Sequence, residues 1–157
     1  MAISRVIITG ANGAGKSWFA GTLAARRQDI KIISYDAVRL TQNWVKRPDE
    51  AVAQTMSDIT GRDHWVVEGG PSLLYHALDR AQGVVWLDPY PWTRAGRLAR
   101  RPWLNLGRTR SELPDGNVDW PIQQYRFALR SLAKGRQMRA AITADLRRTP
   151  PQVLWHC

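Results

Sequence analysis

Residues 10–17 read Gly-Ala-Asn-Gly-Ala-Gly-Lys-Ser and match the pattern G-x-x-x-x-G-K-[ST] in full. The glycines let the backbone curl so that its N–H groups point into one cavity, which fits the oxygens of a di- or triphosphate. Lys16 can then reach the β- and γ-phosphates, and the Ser17 hydroxyl can ligate Mg²⁺. The start of the following helix adds its positive dipole end to the same anion site. The alternative interpretation is a glycine-rich turn before a helix.

The flanking sequence favours the phosphate-binding interpretation. Residues 6–9 form a short β-branched run typical of a buried strand, and residues 18–27 continue as a plausible helix with arginines in its last turn. A strand, a loop and a helix in this order are what the motif requires. We therefore predict that the phosphate-contacting residues are Gly10, Ala11, Asn12, Gly13, Ala14, Gly15, Lys16, Ser17 and Trp18.

Composition and length indicate one globular domain spanning residues 1–157, with 44% apolar residues. No run approaches the roughly 18 apolar residues of a membrane span. The first strand begins so soon that we expect no signal peptide. Cys157 is the single cysteine, which excludes an internal disulfide and a cysteine-based zinc cluster. A reducing cytoplasm is the expected location.

The net charge of +10 is unevenly distributed along the chain. Residues 1–92 carry ten Lys/Arg and nine Asp/Glu, a net of +1, whereas residues 93–157 carry thirteen and four, a net of +9. This asymmetry suggests a polyanionic ligand or partner for the second half. A solvated, arginine-rich surface is the alternative.

Apolar, β-rich segments alternate with helical ones along the whole chain. The predicted strands are residues 6–9, 30–35, 64–67, 83–87 and 152–156. The predicted helices after the first are residues 50–59, 72–81, 91–101 and one long helix over 120–139 that extends as far as 146. Because the strands are apolar throughout rather than alternating, we expect a parallel sheet covered by helices on both faces, a three-layer α/β architecture.

Three carboxylates follow predicted strands, at the edge of the sheet where such folds bind ligands. Asp36 could bind or deprotonate an acceptor hydroxyl, or it could cap the next helix. Glu68 could hold a Mg²⁺-bound water, since Mg²⁺ keeps several waters and takes few protein ligands. Asp88 fits that role equally well by residue type, and only one of the two is needed.

Arginines cluster on the helix after the fourth strand. Arg94, Arg97 and Arg101 are spaced i, i+3, i+7 and share one face, which suggests a common anion. A solvated basic face is the alternative. These arginines are followed by a Pro- and Gly-containing stretch over residues 102–119, which we expect to be mobile. The two features together predict a lid over residues 94–119. Trp44 and Trp120 could line an acceptor pocket.

Taken in order, these segments resemble the small P-loop kinases related to adenylate kinase, in particular the bacterial group labelled FlaR-like or "DNA topology modulation" proteins. The matching pieces, which cover nearly the whole chain, are residues 10–17, 35–37, 43–45, 64–69, 86–92, the Arg97/Arg100/Arg101 cluster and 120–122. The resemblance implies a five-stranded parallel sheet of order 2-3-1-4-5, ATP and Mg²⁺ as cofactors, and an arginine-bearing lid. It also favours Glu68, at a position where many members have Asp, over Asp88 as the metal-side acid. Trp18 stands where such kinases usually carry a small hydroxyl residue.

Two functions therefore remain open from the sequence. The favoured one is a Mg²⁺-dependent kinase that transfers the γ-phosphoryl of ATP to a small acceptor, either a nucleoside monophosphate or another hydroxyl- or phosphate-bearing compound. In it Lys16, Asp36, Arg97 and Arg101 are catalytic, and Ser17 and Glu68 hold the metal. The other is a nucleotide-switched regulator that binds nucleic acid through the basic half, since Lys/Arg contacts dominate non-specific affinity for nucleic acid.

Overall fold

The computed structural model describes residues 3–27, 29–104, 113–118 and 120–157. Its centre is a five-stranded sheet in the order β2-β3-β1-β4-β5, in which every neighbouring pair is parallel. The strands are β1 (Arg5–Gly10), β2 (Ile32–Ser34), β3 (Trp65–Gly69), β4 (Gly83–Leu87) and β5 (Val153–His156). The predicted fold class and strand order are thus confirmed.

Seven α-helices are defined within the described part of the chain, together with three single-turn 3₁₀ segments. The helices are α1 (Lys16–Arg26), α2 (Tyr35–Arg39), α3 (Asp49–Thr60), α4 (Leu74–Ala77), α5 (Pro91–Leu104), α6 (Pro121–Ala133) and α7 (Gly135–Arg148). The 3₁₀ segments are Gln42–Trp44, Pro71–Leu73 and Leu78–Arg80. No helix in these ranges is long and apolar enough to cross a bilayer.

Side chains on the two faces of the sheet enter two separate cores, because successive residues of a strand point to opposite faces. In the first core Ile7, Val67 and Val84 pack against apolar residues of α2, α3, α4 and α7. In the second core Ile8 and Val66 pack against α1. Helices therefore cover both faces, as predicted, and all five strands end at the edge that carries the loop of residues 10–17.

The single long helix predicted after residue 120 is wrong, since the chain breaks at Lys134 into α6 and α7. A Cβ on Gly135 would lie 2.6 Å from Nη1 of Arg94, so a side chain at this position would require the guanidinium to shift. We call this junction, residues 131–135, the α6–α7 elbow. A glycine inside a helical pattern is a recognised sign of such an end.

The predicted lid is only partly described, because residues 105–112 and 119 lie outside the described residues. Its first part belongs to α5, which extends past Pro102 to Leu104 and packs chiefly on α6. Its last part, residues 113–118, is docked against the segment 41–44 through Asn117.

Candidate nucleotide site

The loop between β1 and α1 has the curled backbone that its glycines predict. Gly13 and Gly15 have φ values of +79° and +99°, a region that L side chains rarely adopt. The amide of Ala14 donates to the carbonyl of Ala11 across the turn (3.1 Å), and Gly15 is the residue that precedes the first turn of α1. The first four N–H groups of any α-helix have no acceptor inside the helix, so the loop and the start of α1 form an anion-binding terminus.

Lys16 places its ammonium group directly at this loop. Its Nζ donates to the carbonyl oxygens of Gly10 (3.1 Å) and Ala11 (3.2 Å). Ser17 and Trp18 follow in the first turn of α1, and the Trp18 side chain is 76% exposed. Within the sequence-predicted contact set, Gly10 and Ala14 are buried, whereas residues 11–13 and 15–18 are partly or fully exposed.

Arg97 supplies a second cation to the same loop. Its Nη1 donates to the carbonyl of Ala14 at 2.7 Å and approaches that of Gly13 at 3.5 Å. The same atom lies 2.9 Å from where a Cβ on Gly15 would be, so a side chain there would displace the guanidinium. Two of the predicted catalytic residues, Lys16 and Arg97, are therefore brought together across the loop, whereas Arg101 lies one turn further along α5 and half-buried.

Arg94 departs from the prediction that it shares an anion with Arg97 and Arg101. It is 6% exposed, and its Nε and Nη2 donate to the carbonyls of Asn12 (3.0 Å) and Ser131 (3.4 Å). The spacing i, i+3, i+7 places three arginines on one broad face of α5, but it does not predict which part of that face packs against the rest of the protein. In the structure Arg94 is buried and Arg97 is exposed.

The two candidate metal-side acids have different surroundings. Glu68 lies within β3, in register between Ile8 of β1 and Ser34 of β2, and is buried at 6% exposure. Asp88, just beyond β4, forms an ion pair with Nε of Arg139 at 2.7 Å and lies 3.4 Å from Nε2 of His156. Asp88 therefore ties β4 to α7 and β5.

The residues present fit Mg²⁺ as far as their donor chemistry goes. The Ser17 hydroxyl and the Glu68 carboxylate offer oxygen ligands, and Mg²⁺ is usually held by one or two protein groups together with phosphates and water. Across the residues that the structure describes, no group of three or more His, Cys, Asp or Glu forms an all-protein metal cage.

Asp36 lies in the first turn of α2 rather than at the helix cap, which is Ser34. Its carboxylate is about half exposed and lies 3.6 Å from Nη2 of Arg39. The alternative role as an N-cap is therefore not the one it has. Its position after β2 puts it at the same edge of the sheet as the loop of residues 10–17.

Sequence reasoning missed one fully buried polar residue near the predicted acceptor side. Asn117 accepts a hydrogen bond from the backbone N–H of Trp44 and donates from Nδ2 to the carbonyls of Thr41 (2.9 Å) and Pro114 (2.8 Å). The indole of Trp44 donates to the carbonyl of Val118 at 3.2 Å. Asn43 and Trp44 both have positive φ, which these bonds hold in place. A lone Asn in a turn carries no sequence signal for this role.

Comparison with solved structures identifies the class of fold as that of the P-loop kinases. The chain is similar to shikimate kinase from Acinetobacter baumannii in complex with shikimate, with a TM-score of 0.53, 16% identity and coverage of 98% of this chain and 83% of that chain. It is also similar to a chain of the Pnkp1/Rnl/Hen1 RNA repair complex, with a TM-score of 0.53 and 16% identity, over 83% of this chain and 46% of that one. Shikimate kinase from Bacteroides thetaiotaomicron gives a TM-score of 0.49 at 18% identity, over 94% and 96% of the two chains. No family model matches the sequence, and no curated protein does.

Proposed function

We propose that this protein is a Mg²⁺-dependent kinase that binds ATP and transfers its γ-phosphoryl group to a small acceptor. The observation that carries the proposal is the loop of residues 10–17, with the Lys16 ammonium and the Arg97 guanidinium both placed against it. A curled loop, a helix N-terminus and two cations are the elements that phosphoryl transfer uses to hold phosphates and to stabilise spreading negative charge. We include in this proposal that the protein is related to the FlaR-like group, which its sequence resembles.

Each residue of the site has a defined task in this scheme. The loop amides and Lys16 would hold the β- and γ-phosphates, and Ser17 and Glu68 would hold Mg²⁺, which neutralises developing charge when bound. Arg97 would exchange its bond with the Ala14 carbonyl for the transferring group, and Arg101 would assist from the next turn of α5. Trp18 would contact the nucleotide through its backbone at the start of α1.

Asp36 would orient or deprotonate the acceptor hydroxyl. Its half-exposed carboxylate at the ligand-binding edge of the sheet supports this role, and Arg39 beside it offers a cation. A small-molecule acceptor is further supported by the fold shared with a shikimate kinase solved with shikimate. A nucleoside monophosphate is the other acceptor class that this arrangement suits.

Calorimetric titration of Lys16→Ala with Mg·ATP tests the nucleotide site. We expect the variant to lose at least about tenfold in affinity, because charge-assisted hydrogen bonds are roughly twice as strong as neutral ones. Lys31→Ala, which removes the same charge from an exposed position in front of β2, is the matched control and should bind like the wild type. Equal affinities in the three proteins would refute the assignment.

A turnover assay with a panel of nucleoside monophosphates and small alcohols tests the transfer step. Asp36→Asn should keep the affinity for Mg·ATP and lower turnover with the true acceptor by about 10²-fold or more, the contribution usual for a positioned acid or base. Turnover equal to that of the wild type would remove Asp36 from the mechanism.

A second candidate, a nucleotide-switched nucleic-acid-binding protein, is favoured by one observation. Tyr90 and Trp92 are 68% and 70% exposed, with their rings stacked 4.7 Å apart, at the entrance to the basic half of the chain. Exposed aromatic rings beside arginines are what single-stranded nucleic acid stacks on. A salt-dependent titration with single-stranded DNA tests it, and an affinity that does not fall with rising salt would exclude it.

A further inference from the structure

Arg94 is a buried cation that the proposed kinase chemistry does not use. It projects from α5 into the interior and is 6% exposed. Burial lowers the pKa of its guanidinium, and the charge of Asp88 opposes that shift in part. An arginine in a protein stays protonated nonetheless, so its N–H groups require acceptors.

The guanidinium contacts two separate parts of the chain, the phosphate loop and the α6–α7 elbow. Nε donates to the carbonyl of Asn12 in the phosphate loop at 3.0 Å, and Nη2 donates to that of Ser131 at 3.4 Å. Nη1 lies against Gly135, so close that a Cβ there would be 2.6 Å away. One planar group therefore bridges the loop of residues 10–17 and the α6–α7 elbow.

Such a bridge transmits displacement, because the guanidinium is planar and its donors have fixed relative directions. If the elbow moves Nη1 or Nη2, then Nε cannot keep its bond to Asn12 without moving the loop carbonyl as well. Beyond the elbow, α7 is also tied to the end of β4, since Arg139 pairs with Asp88 at 2.7 Å.

We propose that Arg94 is a positioning residue that sets the backbone of the phosphate loop according to the arrangement of the α6–α7 elbow, so that nucleotide affinity and elbow geometry are linked. The inference rests on the proposed nucleotide site. It differs from a purely structural role, in which Arg94 would affect the stability of the fold but a change at the elbow would leave nucleotide affinity alone.

Gly135→Ala is the discriminating perturbation. The new Cβ would force the Arg94 guanidinium to shift. Gly135 lies outside the loop of residues 10–17, so an effect on nucleotide affinity would have to reach the loop through Arg94. Alanine is otherwise favoured over glycine in a helix, so the substitution should not weaken α7. Gly96→Ala is the matched control, because it makes the same change on α5 where a Cβ meets nothing within 4 Å.

The measurement is the dissociation constant for Mg·ADP by calorimetry, with the melting temperature of each variant. We expect Gly135→Ala to weaken binding about fivefold, a coupling of ordinary size, and Gly96→Ala to bind like the wild type. In an Arg94→Met background, which lacks the bridging donors, Gly135→Ala should have no further effect, as a double-mutant cycle requires for an interaction through Arg94. Arg94→Lys should bind Mg·ADP more tightly than Arg94→Met but less tightly than the wild type, since one ammonium group cannot replace the planar guanidinium fork.

An unchanged affinity for Mg·ADP in Gly135→Ala would overturn the inference and leave the proposed function intact. A fivefold loss that persists when Gly135→Ala is made in the Arg94→Met background would do the same. If Arg94→Met does not fold, the comparison of Gly135→Ala with Gly96→Ala decides the matter, with Arg94→Lys as the second background. A wild-type protein that binds no Mg·ADP would overturn the proposed function and this inference together, and that result is distinct from the other two.

Discussion

Replacement of Asn117 by Ala should weaken the contact between residues 113–118 and the segment 41–44. The change removes three hydrogen bonds of a fully buried side chain, two donated by Nδ2 and one accepted by Oδ1. Each contributes about 1 kcal/mol net, so the upper figure is about 3 kcal/mol. Because Thr41 is exposed and its carbonyl can regain a bond to water, we expect a loss of about 2 kcal/mol in the free energy of unfolding. For a chain of this size that corresponds to a fall of about 4–8 °C in Tm.

Urea unfolding followed by circular dichroism measures this loss, and hydrogen exchange of the segment 41–44 locates it. Asp115→Ala, an exposed position in the same turn, is the control and should leave the unfolding midpoint unchanged. Asn117→Asp should be more destabilising than Asn117→Ala at pH 7, because its carboxylate would face the carbonyls of Thr41 and Pro114 in place of the two donated bonds. An Asn117→Ala midpoint equal to that of Asp115→Ala would refute the reasoning.

Three further predictions concern the loop, the lid and pH. Gly13→Ala should abolish measurable Mg·ATP binding in calorimetry, because alanine disfavours the positive φ of this position and its Cβ would lie only 2.9 Å from Cγ of Leu98. Adding Leu98→Ala to the same chain should restore part of the binding, because it opens space for that Cβ. Arg97→Ala should lower turnover more than ATP affinity, as expected for a contact made chiefly in the transition state, whereas Arg100→Ala, exposed on the same helix, should change neither. Burial lowers the pKa of His76, so its contribution to stability is present above about pH 6.5 and is lost as the pH falls through the lowered value. His76→Phe should therefore flatten the unfolding free energy between pH 7 and 5, and an unchanged pH slope would contradict this.

The architecture was predictable because its signals are local. Each strand is a short, mainly apolar run that ends at or just before a polar or glycine residue, and the loop of residues 10–17 fixes what lies between the first strand and the first helix. The order of the strands came from resemblance and is confirmed. The break between α6 and α7 was missed, because an isolated glycine inside a helical pattern is also compatible with one continuous helix.

The site itself was only partly predictable for a physical reason. Lys16 was fixed by its place in the motif, but the role of an arginine depends on which neighbours surround it. Arg94 and Arg97 are one turn apart on α5, yet one is buried on the carbonyls of Asn12 and Ser131 and the other is exposed over Ala14. Helical periodicity gives the face of a residue and not the depth at which the rest of the fold covers it.

The alternation of side chains along a strand explains why Glu68 and Asp88 have different surroundings. Glu68 lies two residues after Val66, whose side chain enters the core under α1, so Glu68 faces the side of the sheet where Ser17 lies in the first turn of that helix. Asp88 lies two residues after Trp86, whose side chain enters the opposite core and whose ring stacks on His156 at 4.3 Å. Asp88 is therefore directed toward α7 and its arginine, although Glu68 lies near the end of β3 and Asp88 just beyond β4, the two strands that flank β1. Strand parity therefore supports the proposal that Glu68 has the metal-side role, and it accounts for the ion pair that Asp88 makes with Arg139.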